Sequence, residues 1–324
     1  MYPFGWCFIG TGRLADQVAK QLAASPNHKI LSCYTRDVEK ARIFAQSYGA
    51  TAYEKPEDAI CAPGVEGVYI VTTHNVHFRF AKMALELGKP VLCEKSFTVT
   101  AAETDALIAL AREKKLYLAE AMWTWFSPAA HQVKRWIDSG RIGTVKHAKF
   151  TYHMKSVAPR AYDPRRAGGA LLNITVYPIT YAYRLFGYPD RIESTGTIVN
   201  GIDAGEEIFL SFPGGITCHI SASNVDMKGL EKMTIQGSQG SIRAPLFHAL
   251  NRVTLHRGLL RKTVFRGPGP KMNTYLREFD LVADEIRRGC AESAWVPLQA
   301  TSDVMHIMDT IRHQIGLEYN DLEA

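Results

Sequence analysis

A chain of 324 residues, 46% hydrophobic and 22% charged, is ordinary globular material with enough length for two cores. Its formal charge of +6 suits an anionic cofactor or substrate, but it lacks the concentrated basic stripe of a nucleic-acid binder. No run approaches the ~18 apolar residues of a membrane span, and Met1 to Gly5 lacks the cation and apolar length of a signal peptide.

Residues 3–10, PFGWCFIG, read as a strand, and 13–25 as a helix with Leu14, Val18, Ala19 and Leu22 on one stripe. A second strand spans 29–35, and a helix runs from Asp37 to its stop at Gly49. The run 67–73 has a continuous apolar core rather than an alternating one, as in a parallel strand covered on both faces. A helix then ends at Gly88, followed by a strand in PVLCEK, a helix in AAETDALIALAREKK and a strand over 116–121. Strands and helices alternating at this spacing predict βαβ units and an α/β fold, a doubly wound parallel Rossmann sheet over residues 1–122. From residue 123 the texture changes. A helix in SPAAHQVKRWIDSG leads into the alternating stretch 144–154, then into strand-like runs joined by short turns such as Pro213-Gly214-Gly215. Two amphipathic helices close the chain. Residues 123–324 therefore predict an α+β domain with a mostly antiparallel open sheet, its last helices able to pack back on the first domain. Cys7, Cys33, Cys61, Cys93, Cys218 and Cys290 form no CxxC pair; three of them sit in apolar strand-like runs and read as small buried hydrophobes of a reducing compartment, so a soluble cytoplasmic protein is expected.

Gly10, Gly12 and Ala15 form a GxGxxA turn between the first strand and its helix. Such glycines let backbone approach a pyrophosphate, and the helix start supplies amide donors, so Gly10, Thr11, Gly12, Arg13 and Leu14 are candidate cofactor contacts. At the end of the second strand Thr35 stands where NAD sites carry an acid, and Arg36 follows. A hydroxyl beside a guanidinium suits a 2′-phosphate, so NADP is expected, with NAD as the alternative. Thr72, Thr73, His74 and His77 follow the third strand and are placed for contacts to the nicotinamide half. Two histidines with no third ligand make no metal site. Glu94 and Lys95 leave the next strand at its carboxyl end, where open α/β sheets place ligands.

With EAMWTWFSP, DPRRAGGALLNITVYP, SFTVTAAE and the tail EFDLVADEIRRG, these residues resemble the Gfo/Idh/MocA oxidoreductases. The branch most similar is that of trans-dihydrodiol dehydrogenase and D-xylose-type sugar dehydrogenases. The resemblance implies that Lys95 orients the substrate oxygen and that Tyr177 gives and takes the proton. A phenol of pKa ~10 is a poor catalyst at neutral pH, and a neighbouring ammonium favours its phenolate. Lys95 and Tyr177 are thus expected to meet across a cleft between the domains.

Four positions depart from the family pattern. Ser96 follows the Glu-Lys pair in place of Pro; if the family's bond there is cis, Ser96 must keep it or relax to trans and move Lys95. Asn173 replaces the acid of the D-x-x-x-Y element and cannot hold a charge. Thr175 replaces a Gly and adds a hydroxyl near the pocket. Trp125 replaces the Arg of W-T-R-F. Trp123, Trp125, Tyr152 and Tyr177 are expected to form an aromatic wall suited to a ring, with Asn173 a polar contact to substrate. The function expected is hydride transfer on a small sugar, polyol or cyclic diol by a homodimer joined through the C-terminal sheet, with neither nucleic acid nor membrane as partner. The alternative is a non-catalytic, dinucleotide-dependent regulator, favoured by Ser96 and Asn173. The basic segment 255–271 carries only Phe265 as an aromatic, which argues against a nucleic-acid surface.

Overall fold

Phe4–Ile9 forms β1, buried along its whole length, and Arg13–Ala23 forms α1. In the computed structural model, residues 2–227, 230–258, 261–267 and 274–323 are described. Chain order continues with His28–Tyr34 (β2), Val38–Tyr48 (α2), Thr51–Ala52 (β3), Pro56–Ile60 (α3), Gly67–Ile70 (β4), His77–Glu86 (α4), Val91–Glu94 (β5), Ala101–Lys114 (α5) and Leu118–Ala121 (β6). The helix limits follow local chemistry. Asp37 accepts a hydrogen bond from the Lys40 amide to start α2, and Gly49 at φ 65° ends it. Thr100 caps α5 by accepting from the Glu103 amide at 3.3 Å. The six strands lie in the order β3-β2-β1-β4-β5-β6 and pair in parallel, so the winding reverses between β1 and β4.

Pro128–Asp138 (α6), Val145–His153 (β7) and Val176–Phe186 (α7) open the second half. Arg191–Val199 (β8), Ile202–Phe212 (β9), Ile216–Ser223 (β10), Glu231–Gly237 (β11), Gly240–Pro245 (β12), Arg252–Arg257 (β13) and Arg261–Arg266 (β14) follow. These strands order as β14-β13-β12-β11-β7-β10-β9-β8; β7 and β10 run parallel, and the other described pairs run antiparallel. Buried and exposed residues alternate along β9, which marks a sheet with one open face. Of the basic segment 255–271, residues 259–260 and 268–271 lie outside the described residues.

Thr274–Arg287 (α8) and Leu298–Gln314 (α9) complete the fold. The chain divides into two compact units. The first joins residues up to Trp123 with the segment through Thr301, and the second joins Thr124 through β14 with the stretch from Ser302 to Glu323. Within the stretch 123–324, α8 belongs to the first core. Phe279 sets its ring 4.8 Å from Trp6 and 4.9 Å from Tyr69, with Val282 beside it. The opposite face of the parallel sheet buries Cys7, Ile9, Ile70 and Cys93 against Phe80 and Leu107. Among the described residues no helix is long and apolar enough to cross a membrane.

Candidate functional site

The carboxyl ends of β1, β2, β4 and β5 carry the cofactor candidates named from the sequence, but the side chains of two of them, Glu94 and His77, are buried in the fold. Gly10 adopts φ 110°, and a Cβ there would lie 2.6 Å from the Val71 carbonyl oxygen, so only glycine fits. Gly12 starts α1 with no side-chain cap, which leaves the first-turn amides to an outside acceptor. Gly12 and Arg13 are exposed, while Thr11 and Leu14 are half-buried. This cradle fits a dinucleotide pyrophosphate. Thr35 is half-buried and Arg36 exposed at the end of β2, and Thr72, Thr73 and His74 are half-buried after β4.

His77 departs from its expected role. It is fully buried, with Nδ1 3.0 Å from the Ser96 carbonyl oxygen and Nε2 3.4 Å from the Thr72 carbonyl oxygen. Burial pushes its imidazole down to about 4, so the ring is neutral and donates from one nitrogen, with the shorter contact to Ser96 the better bond. The ring braces the loop after β4 against the end of β5 instead of reaching a cofactor.

Lys95 is half-buried at the end of β5 among inward-facing acids. Glu94 accepts a hydrogen bond from the Tyr69 hydroxyl at 2.6 Å, and burial pushes its carboxyl up to about 7, against the pull of Tyr69 and of the Lys95 charge. Glu120 on β6 accepts from Thr301 Oγ1 at 3.0 Å and is likewise pushed up to about 7 by burial. Glu278 of α8 is fully buried, and neither of its oxygens has a hydrogen-bond partner among the described residues. Burial, then the charges of Glu94 and Glu120, push it well above the usual carboxylate range. The Lys95 ammonium is the cation that favours ionisation of Glu94 and Glu120.

In the second unit, Leu171–Thr175 winds as one π-helical turn directly before α7, which carries Tyr177 in its first turn. Pro178 is the third residue of α7, just past that turn, and the Val176 amide bonds back to the Leu171 carbonyl. Asp203 Oδ2 accepts from the Leu171 amide at 2.5 Å, and the Thr175 hydroxyl donates to Glu206 Oε2 at 2.8 Å. Thr175 therefore turns its hydroxyl into the core, not into a pocket. Asp203 and Glu206 are hydrogen-bonded to each other; burial, then the charge of Asp203, push Glu206 well above its usual range, so Glu206 keeps the proton. Gly169 at φ +121° lets Asp203 approach, since a Cβ there would fall 1.8 Å from its Oδ1. Asn173 Nδ2 donates to the Gly169 carbonyl at 2.5 Å.

The aromatic wall is only partly as expected. Tyr177, 6% exposed, sets its ring 6.2 Å from Tyr152 and 5.9 Å from His248. Trp125 is a core residue. It is 1% exposed, 5.6 Å from the Tyr181 ring, with the Arg184 guanidinium 4.8 Å over it. Trp123 stands in the first unit, 5.1 Å from Tyr275.

The profile described as "Oxidoreductase family, NAD-binding Rossmann fold" matches residues 4–121, and the GFO/IDH/MocA C-terminal domain profile matches residues 130–243. Trans-1,2-dihydrobenzene-1,2-diol dehydrogenase of Mus musculus is 30% identical over 333 residues, covering 97% of each chain. The chain belongs to the GFO/IDH/MocA oxidoreductase family. Its relatives include the D-xylose 1-dehydrogenase (NADP(+)) of Hypocrea jecorina, 29% identical over 99% of this chain and 94% of that one. A levoglucosan dehydrogenase in complex with NADH and levoglucosan shares the fold at TM-score 0.86 and 18% identity, over 97% of both chains. KijD10, a 3-ketoreductase from Actinomadura kijaniata in complex with NADP and TDP-benzene, shares it at TM-score 0.85 and 22% identity, over 97% and 98%.

In this GFO/IDH/MocA chain the Lys95–Ser96 bond is cis, the first of the two alternatives the sequence left open. Glu120, Asp203, Glu206, Glu231, His248 and Glu278 were not visible as site residues in the sequence. Glu120 and Glu278 open the stretches EAMWTWFSP and EFDLVADEIRRG, but no spacing names a role for any of the six, and each acquires it only through a partner brought near by the fold.

Proposed function

We propose that this chain is an NADP(H)-preferring dehydrogenase or reductase acting on the CH–OH group of a small sugar, polyol or cyclic diol. The observation that carries the reading is Lys95, set half-buried among acids at a Rossmann strand end, in a chain related over its full length to diol and sugar dehydrogenases. Bound nicotinamide supplies or accepts the hydride. Gly10 to Leu14 would hold the pyrophosphate, Thr35 and Arg36 the 2′-phosphate, and Thr72, Thr73 and His74 the nicotinamide half. Lys95 donates to the substrate oxygen, and its charge favours the deprotonated form. Tyr177 takes the hydroxyl proton in oxidation and returns it in reduction. Tyr152, Asn173 and Trp123 are the remaining contacts to substrate.

The preference for NADP is supported by the exposed Arg36 and by the NADP-dependent D-xylose relative. Fluorescence titration with NADPH and NADH tests it. Arg36→Ala weakens NADPH by about 1.5–3 kcal/mol and leaves NADH nearly unchanged; an equal loss for both cofactors would make Arg36 structural. Turnover assayed with NADP⁺ on D-xylose and on trans-1,2-dihydrobenzene-1,2-diol tests the reaction. Cofactor binding without turnover on any sugar or diol would favour a second reading, a dinucleotide-dependent regulator. That reading draws on Asn173, whose amide is engaged by the Gly169 carbonyl. The homodimer belongs to the proposal as well. The open face of the eight-stranded sheet carries Phe209, 52% exposed and stacked 4.5 Å from His219, as a surface for a second copy. Sedimentation equilibrium decides it.

A further inference from the structure

Glu231 begins β11 and His248 lies in the turn after β12. Because Lys232 pairs with Pro245 across these two strands, residues seventeen apart in sequence meet. One Glu231 oxygen accepts the His248 backbone amide and the other faces ring Nδ1, both at 2.5 Å. A carboxylate only accepts, so the ring proton sits on Nδ1 and the lone pair on Nε2. The Glu231 side chain is 5% exposed and that of His248 25%. The imidazole stacks on Tyr152 at 5.2 Å and 16°, and its centroid is 5.9 Å from that of Tyr177. Tyr152 is 3% exposed, and burial holds its phenol well above the usual range, so it keeps its proton beside the other two rings.

A buried acid–base phenol needs a route to water in every turnover. Tyr177 is 6% exposed, so its own access is slight. An imidazole exchanges protons with water near neutrality far more readily than a phenol.

We propose that His248 carries protons between Tyr177 and solvent, with Glu231 the positioning residue that fixes its tautomer. The inference rests on the reading of Tyr177 as acid and base. In oxidation the substrate hydroxyl gives its proton to the Tyr177 phenolate while the C–H bond gives up its hydride to the cofactor. Tyr177 passes the proton to Nε2 of His248, and the imidazolium, paired with Glu231, releases it to water. Reduction runs these transfers in reverse, and the proton count closes at one per hydride.

The test uses the full chain with NADP⁺ and whichever of D-xylose and trans-1,2-dihydrobenzene-1,2-diol it oxidises. His248→Gln lowers kcat by about tenfold to a hundredfold, with KM moving much less, and added imidazole restores part of the loss. Glu231→Gln gives a smaller fall and a shifted kcat–pH profile. Independently of turnover, nitrogen-15 NMR of the wild-type protein finds the His248 proton on Nδ1, and Glu231→Gln redistributes it. Unchanged kcat and pH profile in His248→Gln would overturn the proposal, as would a loss that imidazole does not touch or a proton found on Nε2 alone. Full turnover in Tyr177→Phe would bring down the reading of Tyr177 and the relay with it. An inactive Tyr177→Phe beside a fully active His248→Gln would overturn the relay alone.

Discussion

The two units hold their polar side chains by different means. In the first, backbone braces the loops and buried acids gather only around Lys95: Gly10 packs against the Val71 carbonyl, His77 ties the Ser96 carbonyl to the loop after β4, and Glu94 and Glu120 feel the Lys95 charge. In the second, buried acids do it: Asp203 and Glu206 clamp the two ends of the π-helical turn, and Glu231 grips His248. A backbone-held site accepts a new side chain such as Ser96 but not an added Cβ at its glycines. An acid-held site answers to pH and to single side-chain changes.

The sharpest break comes from removing one proposed chemical group from each unit. Lys95→Met and Tyr177→Phe each cut kcat by about 10²–10⁴-fold and leave NADPH affinity nearly unchanged. Undiminished turnover in either variant would leave one unit without its assigned chemistry.

Next in size is the dependence of stability on pH, where the sign separates two residues of the first unit. Glu120 is raised from 4.5 to about 7, so it binds its proton more tightly in the folded chain. Its contribution is complete below 4.5 and is lost as pH rises through about 7. His77 is lowered from 6.5 to about 4; its contribution is present above 6.5 and is lost as pH falls through about 4. Urea denaturation across this range shows Glu120→Gln flattening the upper limb by about 3 kcal/mol at most. His77→Gln flattens the lower limb instead. Parallel curves for wild type and variant would mean that the burial of these groups does not govern their titration.

Glycine substitutions sharpen the comparison further. Gly10→Ala and Gly169→Ala each force a side chain into left-handed backbone and cost about 1–3 kcal/mol in denaturant unfolding. Gly10→Ala loses NADPH binding as well, whereas Gly169→Ala keeps the cofactor and lowers turnover by displacing Asp203. Identical binding profiles for the two would erase the division between the regions. The smallest effect is that of Thr175→Val, about 1–2 kcal/mol through the bond to Glu206, and it shrinks in a Glu206→Leu background. Full additivity of the two would show that the bond carries no energy.

Much of the first unit was legible because its signals are local. The continuous apolar runs of β1 and β4, the stop at Gly49 and the glycine turn at Gly10 each depend on neighbours in sequence. Lys95 and Glu94 were placed at a strand end for the same reason. What escaped was long-range. Phe279 returns from a segment that reads as part of the second domain, and nothing within α8 names its partner. Trp125 read as a substrate wall because aromatic content alone does not distinguish a pocket from a core; Arg184, stacked on its ring, decides the matter. The π-helical turn has no periodicity to find, since it is a single turn held by Asp203 and Glu206 from another strand. His248 sits in an unremarkable stretch of loop, and only the pairing of β11 with β12 brings Glu231 to it.

The place of α8 has a consequence for synthesis. The Rossmann strands leave the ribosome first, yet the hollow among Trp6, Phe8 and Tyr69 stays open until Phe279 and Val282 emerge. The whole eight-stranded sheet is translated in the interval. The half made first is therefore completed only after the sheet of the other half has been made, and a chain cut short before α8 leaves the ribosome with that aromatic hollow open to water and to aggregation.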